Sequence, residues 1–290
     1  MFTKIYQPAT IALATLLLAP TSSLAATLVR EAAGLNAASI QNVVDQFRAD
    51  LGNPNNRNAI GPIAGGRREI NWDGAPGPAA PFNMPGDFFN ATVPRGAVFT
   101  TSGSGFQISG ADGNPNQTTA NIEEFGNINP TYPDIFQTFS PEKLFTALGS
   151  NVLDVSFFIP GTNTPATVSG FGAVFTDVDL PDSTKLEYFD INNKLLFSRS
   201  VLPADNGLSF LGVSFDAGEQ ISRVRITSGN APLSADTFDG NGIDVVAMDD
   251  FFYSEPQAVV QGVPEPSSIL GLLVGGLLPL FGFAKRNRQR

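Results

Sequence analysis

The chain has 290 residues, 17 basic and 27 acidic groups, no histidine, no cysteine and a net charge of −10. These counts exclude disulfides, thiol nucleophiles, Cys/His zinc sites and imidazole acid–base chemistry. They also argue against a nucleic-acid partner, which needs Lys and Arg on the phosphates, and favour solubility, divalent cations or cation-bridged polymers as company for an acidic surface.

In chain order, Lys4 precedes the apolar run Ala9–Leu18, and Ser23-Leu24-Ala25 places small residues at the −3 and −1 positions of a cleavage site. This pattern predicts a signal peptide over 1–25, cut after Ala25, and an export translocase as its partner. Lys4 and the four basic residues of the extreme C-terminus make up five of the 17 basic groups, so 12 remain between them and that interval is strongly acidic.

Residues 26–96 read as a helix and a Pro/Gly-rich loop region packed on a later sandwich. Ile40, Val43, Val44, Phe47 and Leu51 recur at i, i+3, i+4, i+7 and i+11, which predicts one amphipathic helix over 35–52. Ser39 is the expected N-cap and Gly52 the expected residue beyond the C-cap. The stretch 53–95 is rich in Asn, Gly and Pro and predicts irregular chain. Its large aromatics, Trp72, Phe88 and Phe89, are expected to hold it to the core.

From Ala97 the strand signals repeat, and 97–254 reads as a sandwich domain. A hairpin is expected from 97–101 and 105–109, closed by Gly110-Ala111-Asp112-Gly113, and a short helical turn at 141–147. Further strands are expected at 152–159, 166–176, 185–190, 194–202, 208–215, 221–227 and 244–253, with a hairpin turn at 190–194. Short strands at intervals of roughly 10–15 residues, separated by Gly, Pro and Asp turns, predict an all-β, jelly-roll-like β-sandwich.

Three acidic groups carry the candidate chemistry. Asp177, Asp179 and Asp182 follow a strand; Asp236, Asp239, Asn241 and Asp244 crowd a Gly-rich loop; Asp249 and Asp250 stand in the last strand. Calcium takes six to eight oxygens, so carboxylates converging from several loops suit it. The expectation is one structural calcium held by Asp177 or Asp179 with Asp249 or Asp250. Neighbours on a strand face opposite ways, so both of the last pair join one site only if a bulge intervenes. Glu69, Asp73, Glu123 and Glu124 are of the type that serves a carboxylate-dependent hydrolase on extracellular glycans, the alternative function, but nothing in the sequence sets their separation. Trp72 and Tyr132 are candidate sugar-stacking rings, with a core plug the expected role for Trp72. The sequons at Asn90 and Asn116 are read as accidental matches.

The stretch 255–262 is a linker, and 263–290 closes the chain in three parts. Pro264-Glu265-Pro266 is held extended by its prolines. Ile269–Ala284 is apolar, and Lys285, Arg286, Arg288 and Arg290 follow. Sixteen helical residues rise roughly 24 Å, a short single-pass C-terminal transmembrane helix whose basic end stays in the cytoplasm.

This tail resembles the PEP-CTERM sorting signal of Gram-negative-type bacteria, in which Pro-Glu-Pro precedes one hydrophobic span and an Arg-rich end. The resemblance implies an exosortase-type processing enzyme as partner, a transient membrane intermediate, and delivery to the cell surface or an exopolysaccharide matrix. The plain reading is a permanently anchored envelope protein. Gly66–Gly74, Gly172–Asp179, Leu208–Val213 and Asp244–Phe251 look like a secreted bacterial β-sandwich family without a settled activity. The last of these also resembles the closing strand of jelly-roll carbohydrate-binding modules, where paired acidic residues hold a structural calcium. The resulting expectation is a non-enzymatic exported protein, set in or binding exopolysaccharide.

Overall fold

The computed structural model of the chain describes residues 27–74, 82–110, 123–216 and 220–259. The signal peptide, the sorting motif Pro264, Glu265 and Pro266, the apolar span, the basic residues Lys285, Arg286, Arg288 and Arg290, and Asn116 lie outside the described residues. Among those described, no helix is long and apolar enough to cross a membrane.

The elements are β1 (Thr27–Gly34), α1 (Ala37–Leu51), β2 (Arg67–Ile70), β3 (Phe82–Met84), β4 (Ala97–Thr101), β5 (Gly105–Ile108), β6 (Phe145–Leu148), β7 (Val152–Phe157), β8 (Ala166–Thr167), β9 (Gly170–Val178), β10 (Lys185–Phe189), β11 (Leu195–Ser200), β12 (Ala204–Phe215), β13 (Arg223–Thr227), β14 (Ala247–Ser254) and β15 (Gln257–Ala258). The larger sheet runs β1-β12-β9-β14-β6-β5-β3, with β2 also paired to β14; the smaller runs β11-β10-β13-β7-β4. All named pairings are antiparallel. The fold is therefore an all-β sandwich, with one α-helix among the described residues.

Period-two patterning places the inner face. Leu153, Val155 and Phe157 of β7 and Val224 and Ile226 of β13 alternate with half-buried polar residues. They pack against Phe171, Phe175, Phe251 and Tyr253 of the larger sheet in one core. β9 is buried along its whole length because its other face is covered too. There Val174, Leu208, Phe210 and Phe252 meet Ile40, Val44, Phe47 and Leu51 of α1. Phe47 lies so close to the sheet that a Cβ at Gly172 or Gly212 would stand 2.8 Å from its ring. The apolar stripe read from the sequence thus marks the face that packs on the larger sheet.

Several expectations change. The N-cap is Asn36, whose side chain accepts the Ser39 N–H, rather than Ser39. Residues 26–96 are built into the sandwich: β1 pairs with β12 and β2 with β14. The segments 97–101 and 105–109 do not form a hairpin. β4 pairs with β7 and β5 with β6, in different sheets, and Phe99 and Phe106 meet across the core at 6.0 Å. Phe145–Leu148 is a strand where a helical turn was expected, because Phe145 and Ala147 point into the core, Phe145 stacked 4.1 Å from Trp72. The 190–194 turn joins β10 to β11 as expected; the Asp190 carboxylate accepts the Asn192 and Lys194 N–H groups.

One buried ion pair ties the long 53–66 loop down. Arg68 of β2 donates to both oxygens of Glu255, at 2.6 and 2.7 Å, and to the carbonyls of Arg57, Ala59 and Pro94. An irregular loop is held here because its carbonyls find charged donors under the surface.

Candidate functional site

The acidic residues separate into two places. The first lies past the end of the β9–β12 ladder. Register along this pair jumps from Thr176–Leu208 to Val178–Ala204, so Asp205, Asn206 and Gly207 oppose Asp177 alone. This is an extended bulge, and Asp177 adopts φ 65° within it, a left-handed conformation that Asp tolerates better than most residues. One Asp177 carboxylate oxygen accepts the Asn206 N–H at 2.8 Å.

Asp179 follows β9 and is oriented by Asp244, whose carboxylate accepts the N–H groups of Asp179 and Leu180 and the Ser183 hydroxyl. Asp239 arrives from the loop before β14. Two buried side chains set that loop: Tyr132 donates to the Ser234 and Thr237 carbonyls, and Asn129 to the Ala235 and Thr237 carbonyls. Immediately after Asp239, Gly240 and Ile243 exchange both backbone hydrogen bonds. Asn241 and Gly242 between them both have positive φ, 54° and 88°, the requirement of a tight two-residue hairpin turn.

Carboxylate oxygens of Asp177, Asp179 and Asp239 lie within 4.8 Å of one another. Asp177 is fully buried, and its second oxygen, like one oxygen of Asp179, has no hydrogen-bond partner. No salt bridge among the described residues reaches any of the three. Burial first, then the neighbouring carboxylates Asp179, Asp239 and Asp205, push the Asp177 carboxyl up to about 8 against the hydrogen bond from Asn206. Burial, then the charge of Asp239 and a carboxyl–carboxyl hydrogen bond with it, then the charges of Asp205 and Asp244, raise Asp179 to about 7. Like charges crowded out of water disfavour ionisation unless a cation joins them. The arrangement is a set of hard oxygen donors converging from two segments, the end of β9 and the loop before β14.

Asp249 and Asp250 do not belong to this place, and that part of the expected calcium set is corrected. Both sit where β14 has two residues against the single Val174 of β9, a bulge that brings both carboxyl groups into one neighbourhood. Asp249 accepts the Phe139 and Ser140 N–H groups, Asp250 accepts the Ser140 hydroxyl at 2.7 Å, and Arg48 stands 3.7 Å from Asp250. Burial and the partner carboxyl raise Asp249 well above its ordinary value; burial raises Asp250. The two are 0% and 2% exposed, so the pair is closed to a substrate and braces the 136–144 segment against β14 and α1. Nearby Asp73 accepts the Glu142 and Lys143 N–H groups.

The other candidates fall into structural places. Glu69 bonds Arg67 and Arg48. Trp72 is a core plug whose indole N–H donates to the Asp249 carbonyl at 2.8 Å, and Tyr132 is buried under the 231–237 loop. Neither ring is available to a sugar. Asn90 is 5% exposed and donates to the Thr162 carbonyl, which closes its sequon. Asp239 was visible in the sequence only as part of an acidic, Gly-rich loop; the Asn241-Gly242 turn was the local signal that this loop is sharply folded. No protein-family model, curated protein or solved structure matches the chain.

Proposed function

We propose that the chain is an exported, non-enzymatic β-sandwich cargo, held transiently in the membrane by its C-terminal span and released by an exosortase-type system to the cell surface or exopolysaccharide matrix. What supports this reading is the extent of the described fold relative to the two transport signals expected from the sequence. The described elements run from Thr27 to Ala258, the interval between the Ala25 cleavage point and the Pro264-Glu265-Pro266 motif.

The cargo's finer architecture is a jelly roll. Supporting it, β6-β14-β9-β12 in one sheet and β7-β13-β10-β11 in the other are the two four-strand layers of such a winding, in which successive strands cross between sheets except at the β10–β11 hairpin. β1, β2, β3, β4, β5 and α1 extend or cover that frame.

The test is replacement of Pro264, Glu265 and Pro266 by Ala in the host, followed by size and fractionation of the product. The expected outcome is retention of the full-length chain in the membrane. If the substituted chain still loses its tail and leaves the membrane as before, the motif is not the sorting signal.

A further inference from the structure

We propose that Asp177, Asp179 and Asp239 bind one calcium ion that clamps the end of β9 to the loop entering β14. Three observations carry the assignment. Their ligand oxygens fit within 4.8 Å of one another, the widest separation that two oxygens on a shell of roughly 2.4 Å radius allow. The fully buried Asp177 keeps one carboxylate oxygen without a hydrogen-bond partner, and Asp179 keeps another. Such atoms are rare in folded proteins, because a buried acceptor left unpaired is costly. Finally, no Lys or Arg among the described residues pairs with the three carboxylates, while Asp244 beside them is already used on the Asp179 and Leu180 N–H groups and the Ser183 hydroxyl.

The donor chemistry selects the ion. All three ligands are carboxylates, hard oxygens that suit calcium or magnesium, and the chain has no Cys or His to recruit a softer metal. The three come from a strand bulge, a strand end and a hairpin loop, an irregular geometry. Calcium accepts irregular shells and fills vacant positions with water, whereas magnesium demands a near-ideal octahedron and gives up its water reluctantly. Asp179 and Asp239 are only half-buried, which leaves room for water ligands. Bound calcium would offset the crowded negative charge and join the end of β9 to the β13–β14 loop in one clamp. This clamp does not depend on the sorting proposal, and a failure of either leaves the other standing.

The experiment uses the full-length chain in mild detergent, stripped with a chelator and titrated with calcium chloride in a calorimeter, with melting followed in parallel. The expected result is one ion per chain with a dissociation constant at or below about 1 mM, in the range of extracellular calcium modules. At 100 times that constant the melting temperature should rise by about 5 °C or more. Asp177→Asn keeps the acceptor for the Asn206 N–H, and Asp239→Asn lies at a half-buried position, so the two guard against one variant failing to fold. Each should weaken calcium binding at least about tenfold, as expected for loss of an anionic ligand. Absence of saturable heat and of any melting shift at 10 mM calcium, roughly ten times the upper bound, overturns the proposal. So does wild-type affinity in both variants. An equal melting shift with magnesium overturns the choice of calcium.

Discussion

Replacing Arg68 by Met tests the energetics of the loop that closes the sandwich. Arg68 is 0% exposed and Glu255 is 3% exposed. Removal of the guanidinium leaves the Glu255 carboxylate with the Asn56 amide at 2.8 Å as its remaining side-chain donor among the described residues. It also strips the donor from three loop carbonyls, those of Arg57, Ala59 and Pro94. Breaking one side of a buried pair costs about 3–5 kcal/mol, because the other charge stays behind unpaired. Three orphaned carbonyls, two in the 53–66 loop and one just before β4, place the value near the middle, about 4 kcal/mol. For a domain of this size that is a fall in melting temperature of roughly 8–16 °C. Urea denaturation of Arg68→Met, Glu255→Leu and the double variant, fitted with a common slope, measures it. The double variant should recover part of the loss, since it leaves no isolated charge. A loss below about 1 kcal/mol for Arg68→Met, the value of a solvent-exposed pair, would refute the claim that this pair is sealed.

Gly212→Ala should destabilise the domain by about 1–3 kcal/mol through overpacking, because its Cβ would press the rings of both Phe47 and Phe210 at 2.8 Å. Phe47→Ala should cost about 3–5 kcal/mol through the cavity left under α1, and a smaller loss in urea melts would mean that the helix is loosely docked. The Asp73 carboxyl is raised from 3.8 to about 6, chiefly by burial. The folded state then binds the extra proton across that window, and stability falls as pH rises from about 4 to about 6. Asp73→Asn should flatten this part of the stability–pH curve, and an unchanged slope would assign it to other groups.

The sequence by itself determined the layers that depend on local period. Ile40, Val44, Phe47 and Leu51 mark the docked face of α1 at 3.6-residue spacing, and alternation in Leu153–Phe157 and Arg223–Thr227 marks inner faces at a period of two. Glycine and Asp-rich turns separated the strands, and the hairpin at 190–194 was visible because its turn residues act on their own backbone. The composition also placed the candidate ligands among carboxylates, since the chain has no Cys or His.

What only the tertiary structure decided is which strands are partners and which acids meet. Phe99 and Phe106 look like two arms of a hairpin because both are apolar and close in sequence, yet the core takes them from opposite sheets. β1 was not apparent in Thr27–Gly34, whose half-buried and exposed positions carry a weak pattern; its pairing with β12 makes it a strand. Asp177 and Asp239 are 62 residues apart, and Asp249 stands closer in sequence to Asp239 than Asp177 does. Strand register and the Tyr132 and Asn129 anchors bring the distant pair together, while the β14 bulge turns Asp249 and Asp250 toward another partner set. Local pattern encodes which face a side chain takes, because that follows from backbone period. Convergence of side chains from separate loops follows from how sheets stack and bulge, which no local spacing encodes.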